Sequence, residues 1–286
     1  MKSWTDDELN AFVDSLDARI DRLLADIKPT PVWQAITEPD TDPALIRLIM
    51  REVYLEIYSY QPHVITATIS IIGRMPKADA RMISKMLIHQ AEEADHGEMA
   101  LRDYVALGGD EQYARARRIS PESFAVASVW WGLWHMEDPF AYLGALYPFE
   151  GLTPIVSQLA RDAVSKKGVP GQALEFITFH AEEDIKHTAL VRKLLKYVVG
   201  KYPSAAESIR SGIEYFLAVY PIPVWMAAYR RAIAEYEGIG PELDQLRAVV
   251  SDVADSASVT SQSSFGVHFW MVRLSNRSHP RMALRF

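Results

Sequence analysis

Cysteine is absent from all 286 residues. That excludes disulfides, thiolate metal sites and a cysteine nucleophile, and it fits a reducing, cytoplasmic compartment. Long apolar runs are also missing. No window holds 18 uninterrupted apolar residues, so no membrane span is expected. The first residues, Met1-Lys2-Ser3-Trp4-Thr5-Asp6, lack the apolar stretch of a signal peptide. Positive charge is in short supply: 30 Lys and Arg face 37 Asp and Glu, a formal charge of −7. That balance argues against a nucleic-acid or anionic-membrane partner. Alternating strand patterns and repeats of 20 to 50 residues are lacking too.

What the chain does have is helical periodicity punctuated by caps and prolines. Thr5 and Glu8 form a capping box at the head of a helix that should reach about residue 27, with Phe12, Leu16, Ile20 and Leu23 on one stripe. Pro29 and Pro31 break it. Asp42-Pro43 opens the next helix, which Pro62 should kink or split before it ends near 72. Further helices are expected over 77–107, from 120, from 138, and over 170–199, 204–220, 224–237 and 241–254. Hydrophobic content of 49% supports a sizeable core, and the connections are short. The expectation is one all-α bundle over 1–255, followed by a Ser-rich, then basic and aromatic tail over 256–286, poorly ordered or packed on a partner.

Histidine is unevenly placed. Eight occur, and four of them fall in two short windows. His180, Asp184 and His187 stand at i, i+4 and i+7 in one window; His89, Glu93 and His96 repeat that spacing in the other. On a helix each set lies along one face, spanning about 10 Å. A lone histidine is usually a satisfied polar or core residue. Two aligned imidazole–carboxylate stripes are better read as ligands for metal. A bundle built this way needs a carboxylate that bridges two ions. Glu150, a lone charge in an apolar run, is the best candidate, with Glu137 as a rival and Glu52 and Glu56 as secondary choices. Glu182 or Glu183 is a candidate for orienting an imaginable ligand imidazole from behind.

These motifs resemble those of the heme-oxygenase-like di-metal oxidases, within the TenA/PqqC-like helical superfamily. The likeness runs from about Arg51 to Val199. The spacing of His180, Asp184 and His187 matches that family's last ligand helix, Glu150 its central glutamate and His96 its first-motif histidine. Glu93, three residues before His96, then takes the place of the partner glutamate. His89 departs from the pattern and is a further candidate ligand. The resemblance implies a heme-oxygenase-like bundle of about seven core helices with extra helices at each end, and a homodimer. It implies two Fe ions, with Mn as an option, held by Glu93, His96, Glu150, His180, Asp184 and His187. It also implies O2 as co-substrate, Glu93, Glu150 and Asp184 at the reacting centre, and oxidation of an amine, amino acid or fatty acid. Two divalent ions and three carboxylates leave one positive charge for a further anionic ligand. Trp130, Trp134 and Tyr147 flank the motifs and are candidate walls of a substrate pocket, although ordinary core is the simpler role for such aromatics.

Other readings remain. A metal-free cofactor-processing or binding protein of the TenA/PqqC type would not need six aligned ligands. A heme-degrading enzyme would need one axial histidine and a less acidic pocket. A metal store or scaffold would bind iron without substrate-coupled O2 use. The apolar pattern does not identify a substrate.

Overall fold

In the computed structural model, residues 4–239 are described. The helix expected over 241–254 and the tail over 256–286 lie outside the described residues. Among those described, every regular element is helical: eleven α-helices and three short 3₁₀ turns.

The chain opens as its caps dictate. In α1 (Asp6–Ile27), the Glu8 amide donates to Thr5 Oγ1 at 3.2 Å, and the Thr5 amide donates to the Glu8 carboxylate at 2.9 Å. Phe12, Leu16, Ile20 and Leu23 form its buried stripe. The Pro29–Pro31 break is also a start: Thr30 caps and Pro31 begins a short helix, α2 (Pro31–Thr37). Pro62 does not split α3 (Pro43–Ile72), which runs unbroken through it. The Ser59 and Thr66 hydroxyls bond back to the Leu55 and Pro62 carbonyls, each at 2.7 Å.

The helix expected over 77–107 is divided. A 3₁₀ turn (Lys77–Asp79) leads into α4 (Ala80–Glu92), a second 3₁₀ turn covers Glu93–Asp95, and α5 (His96–Ala106) resumes. The tightening falls among the histidines and carboxylates of the first window, and such mid-helix irregularities recur at functional sites. The short α6 (Glu111–Ala116), absent from the expectation, is capped by Asp110. Then come α7 (Pro121–Met136), α8 (Ala141–Ser165), α9 (Glu175–Lys201), α10 (Ala205–Leu217) and α11 (Ile222–Tyr236).

Two helices organise the packing. α8 lies against α9 and α10, while α3 lies against α5, α7 and α11. The α8–α10 contact is backbone-close. A Cβ on Gly144 would sit 1.9 Å from the Ile209 carbonyl oxygen, and one on Gly212 would sit 1.9 Å from that of Ala141. Asp103 ties α5 to α9: its carboxylate accepts the Glu175 and Phe176 amides at 3.1 and 2.8 Å, capping the start of α9. These contacts bring the α4–α5 junction, the middle of α8 and the first half of α9 together. Among the described residues no helix is long and apolar enough to cross a membrane.

Candidate metal centre

The two histidine windows meet crosswise. His89 packs on His187 and His96 on His180, with ring centroids 4.5 Å apart in both pairs. The seven-residue step between histidines is the same in each window. The segments therefore run antiparallel and in register, with Glu93 between the two histidine pairs.

Two donor groups result. In one, His89, Glu93, Glu150 and His187 offer ligand atoms that all lie within 4.8 Å of one another; in the other, Glu93, His96 and His180 do. All six residues are buried. Glu93 belongs to both groups. Its Oε1 lies 3.3 Å from His187 Nδ1 and 3.9 Å from His89 Nε2, while its Oε2 lies 2.7 Å from His96 Nδ1. The shared carboxylate is thus Glu93. Glu150, expected to bridge, sits in one group only, with Oε1 3.1 Å from His89 Nε2 and Oε2 3.5 Å from His187 Nδ1. The reason is the helix break: it puts the Glu93 carboxylate between the histidine pairs, while α8 approaches from the His89–His187 end. Asp184 falls outside both tight groups. It lines the same chamber as Glu93, Glu150 and His180, with Oδ1 3.5 Å from His187 Nδ1.

The imidazoles are held from behind. His180 Nδ1 meets the Phe176 carbonyl oxygen at 2.7 Å. A carbonyl only accepts, so Nδ1 carries the proton and the Nε2 lone pair faces the centre, 3.1 Å from His96 Nδ1. The outer Nε2 of His187 lies 3.3 Å from Glu92 Oε2. The Gln90 amide meets His89 Nδ1 at 3.0 Å. Sequence reasoning missed Glu92 and Gln90. The adjacency of Glu92 to Glu93 was the one available signal, but nothing local shows that α9 passes over it. Glu182 and Glu183 do not act in this way: they pair with Arg161 at 3.3 Å and Lys186 at 2.6 Å on the surface.

The electrostatics ask for a cation. Three buried carboxylates share the chamber, and burying such charges is costly unless positive charge accompanies them. Burial works against a proton on His187, yet Asp184, Glu150 and Glu93 together push its pKa up to about 12. Burial, with Glu150 and Glu93 nearby, lifts Asp184 to about 7. His180, buried and facing His96, is lowered to about 4 and is neutral, as a ligand must be. Orphaned polar atoms collect here. Of the eight buried side-chain polar atoms without a hydrogen-bond partner among the described residues, four are His89 Nε2, His96 Nε2, Asp184 Oδ1 and His187 Nδ1. Three of these, all but His96 Nε2, take part in the ion-pair contacts of the first group. These three buried groups call for an explanation, and a bound cation supplies one; His96 meets the centre through its other nitrogen, Nδ1. Imidazole and carboxylate donors in this mixture fit a first-row divalent metal such as iron or manganese.

Other expected residues lie elsewhere. Trp130 is core, packed edge-on against Phe149 and Phe216, with a ring centroid 6.4 Å from that of Tyr142. Trp134 is half-buried against Trp131 and His135. The Tyr147 hydroxyl donates to Asp17 on α1 and receives a bond from Arg192 at 2.7 Å. None of the three lines the chamber or the apolar cavity beside it. The aromatic walls there are Trp33, Tyr54, Tyr60, Phe149, Phe176, Tyr220 and Trp225. Glu137 lies at the end of α7 and accepts from Tyr215 at 3.2 Å. Glu52 and Glu56 are buried but neutralised: Arg231 bonds both, at 2.9 and 2.6 Å, and Arg117 adds a bond to Glu56 at 3.1 Å.

Comparison with known proteins agrees with this geometry. No curated protein matches the chain. Among solved structures, a domain of unknown function with a heme oxygenase-like fold from Shewanella denitrificans superposes with a TM-score of 0.61 at 21% identity, covering 80% of this chain and 93% of its own. A TenA homologue from Pyrococcus furiosus gives 0.58 at 13% identity, covering 76% and 100%, and one from Pseudomonas syringae gives 0.59 at 15%, covering 82% and 98%. At such identities the likeness establishes the fold, a heme oxygenase-like bundle. Residues 52–220, which include all seven histidines and carboxylates of the centre, match the model of the iron-containing redox enzymes with a heme oxygenase-like fold, and the chain belongs to that family.

Proposed function

We propose that the protein is a non-heme di-iron oxidoreductase that uses O2 to oxidise a small molecule. The observation that carries the reading is the division of Glu93, with one oxygen turned to each histidine pair. One ion would be held by His89, Glu93, Glu150 and His187, with Asp184 beside it; the other by Glu93, His96 and His180. Mn remains the alternative metal for the same donors. Bound iron would supply the one-electron and O2 chemistry that side chains lack.

The remaining work falls to the chain. The Phe176 carbonyl fixes the protonated nitrogen of His180, and Glu92 steadies the outer nitrogen of His187. Phe149, Phe176 and Tyr220 wall the chamber and limit the entry of water. Pairing as a homodimer and a cytoplasmic location are carried as parts of the same proposal. The test is metal analysis after anaerobic Fe(II) loading, followed by stopped-flow absorbance on mixing with O2, with and without candidate small molecules. Close to two Fe per chain and O2-dependent absorbance changes are expected; no bound metal would defeat the reading. The alternative, a metal-free TenA-like processing or binding protein, shares the fold and predicts turnover that survives strong chelation.

A further inference from the structure

Gln61 stands just before the proline inside α3. Its side chain lines the metal chamber together with Glu93, Glu150, His180 and Asp184, and the residue is only 5% exposed. Among the described residues its amide has no hydrogen-bond partner. The other uncharged polar groups of the chamber wall are occupied. The Thr153 hydroxyl bonds to the Phe149 carbonyl, and the Tyr60 and Tyr220 hydroxyls interact with each other. A primary amide carries two N–H donors and an acceptor oxygen, and leaving them all unpaired in a buried place is unfavourable.

The stem of Gln61 is fixed by α5. A Cβ on Gly97 would touch Gln61 Cβ at 3.4 Å, so the α5 backbone passes against the stem at the residue that follows the candidate ligand His96. Gln61 therefore stands beside the donor group of Glu93, His96 and His180. That group offers three protein ligands, whereas the other offers four. A divalent ion held by three ligands keeps a coordination position open. Charge sets the sign of what fills it: two divalent ions against Glu93, Glu150 and Asp184, with neutral imidazoles, leave one positive charge. Space sets its size. The free volume of the chamber is about 20 Å³, room for roughly one guest of water size. An amide N–H beside such a position donates to the anion placed there, and hydrogen bonds to charged acceptors are the strong ones.

We propose that the Gln61 amide donates a hydrogen bond to a small monoanion, of hydroxide or fluoride size, bound at the open position of the ion held by Glu93, His96 and His180. The assignment rests on the di-iron reading above for the ion itself. It makes Gln61 a specificity residue of the centre: a ligand whose metal-facing atom accepts a hydrogen bond is favoured over one whose atom cannot.

The test uses the full-length protein, stripped of metal and loaded with Mn(II), titrated with fluoride and followed by fluorine NMR relaxation, which a bound paramagnetic ion quickens. Wild-type protein should show saturable fluoride binding, and the metal-free protein should show none. Gln61→Leu keeps much of the side-chain volume and removes the donors. It should bind fluoride about tenfold more weakly or worse, the usual consequence of losing a hydrogen bond to a charged partner. Its Mn(II) content should equal that of wild type. Its melting temperature in the metal-free state should be no lower, because the amide it removes has no partner in the protein. Gln61→Met repeats the measurement with a flexible apolar side chain and guards against poor packing of leucine. Three results would overturn the assignment: equal fluoride affinity in wild type and both variants, no saturable fluoride binding to Mn(II)-loaded wild type, or loss of Mn(II) from both variants, which would make Gln61 part of what holds the ions. The two readings fail separately. Wild-type protein that takes up no Mn(II) sinks the di-iron centre; wild-type protein with two Mn(II) per chain and a fluoride affinity indifferent to Gln61 sinks this assignment and leaves the centre.

Discussion

Glu92 reaches His187 from outside the metal chamber, its Oε2 3.3 Å from Nε2, while His187 Nδ1 faces Glu93 Oε1 at the same distance inside. Consecutive glutamates thus grip opposite nitrogens of one imidazole. The inner one is buried in the donor cluster; the outer one is 57% exposed in its side chain. A ring held this way keeps one nitrogen aimed at the centre.

Glu92→Ala should therefore weaken metal binding about 10–100-fold, the usual cost of losing such a partner. The helix content should not change, because the Glu92 side chain packs little. Competition titration of Fe(II) or Mn(II) against a chelator measures the effect. Unaltered affinity in Glu92→Ala would show that the contact does not orient the ring.

Because Glu93 alone belongs to both donor groups, its loss should differ in kind from the loss of a histidine. Glu93→Ala removes a donor from each group and is expected to leave a chain that holds neither ion firmly, whereas His96→Ala should retain one, since all four donors of the other group, His89, Glu93, Glu150 and His187, remain. Metal content per chain after gel filtration decides between them. Equal stoichiometry in the two variants would contradict a shared carboxylate.

Much of this centre was legible in the sequence, and the reason is local. A seven-residue histidine step on a helix fixes which side chains share a face, whatever the helix packs against. Hence His89, Glu93, His96, His180, Asp184 and His187 could be named before any fold. The helical class followed from caps such as Thr5–Glu8 and from the absence of strand patterns. What could not be read depends on distant pairing. The bridging role was assigned to Glu150 because it is a lone charge among apolar residues, but which carboxylate bridges depends on how α8 meets the broken α4–α5 helix. Tyr147 looked like a pocket wall because it lies near Glu150 in sequence; its partner, Asp17, is 130 residues away. Trp33 and Trp225 are separated by most of the chain, and no local pattern marks them as stacked.

Asp79 supplies a pH prediction away from the metal. It joins the start of α4 to the end of α9, accepting from Tyr197 at 2.5 Å and also from Lys201 and Tyr202. Its burial alone would raise its pKa, but these three donors outweigh burial and hold it at about 2, below the ordinary 3.8. A carboxylate depressed in the folded state stabilises the fold above its unfolded pKa and ceases to do so as pH falls through the folded one. The wild-type protein should thus melt higher than Asp79→Asn near neutral pH, with the gap closing between about pH 4 and pH 2. Melting temperatures of both proteins across that range, with metal removed, check it. A gap that persists below pH 2 would mean the charge is not its source.

The last prediction concerns what holds α8, and with it Glu150, in place. Gly144 and Gly212 face each other's helices reciprocally: a Cβ on the first would meet the Ile209 carbonyl oxygen and one on the second that of Ala141, each at 1.9 Å. The obstacle in both cases is backbone, which cannot rotate aside as a side-chain end can. Either Gly144→Ala or Gly212→Ala must push α10 away from α8, and overpacking of this sort costs about 1–3 kcal/mol, occasionally more. Helix propensity works the other way, favouring alanine by roughly 1 kcal/mol, so a net loss would show that the close approach dominates. Gly171→Ala is the control, since an added Cβ there meets nothing within 4 Å and no left-handed backbone is involved; its effect should stay within about 0.5 kcal/mol. Urea denaturation of the three variants measures the difference. Because Glu150 lies six residues along the same helix from Gly144, the destabilised variants should also bind Mn(II) more weakly than the Gly171→Ala protein. A stable Gly144→Ala protein with undiminished metal affinity would show that the α8–α10 contact can open without disturbing the centre.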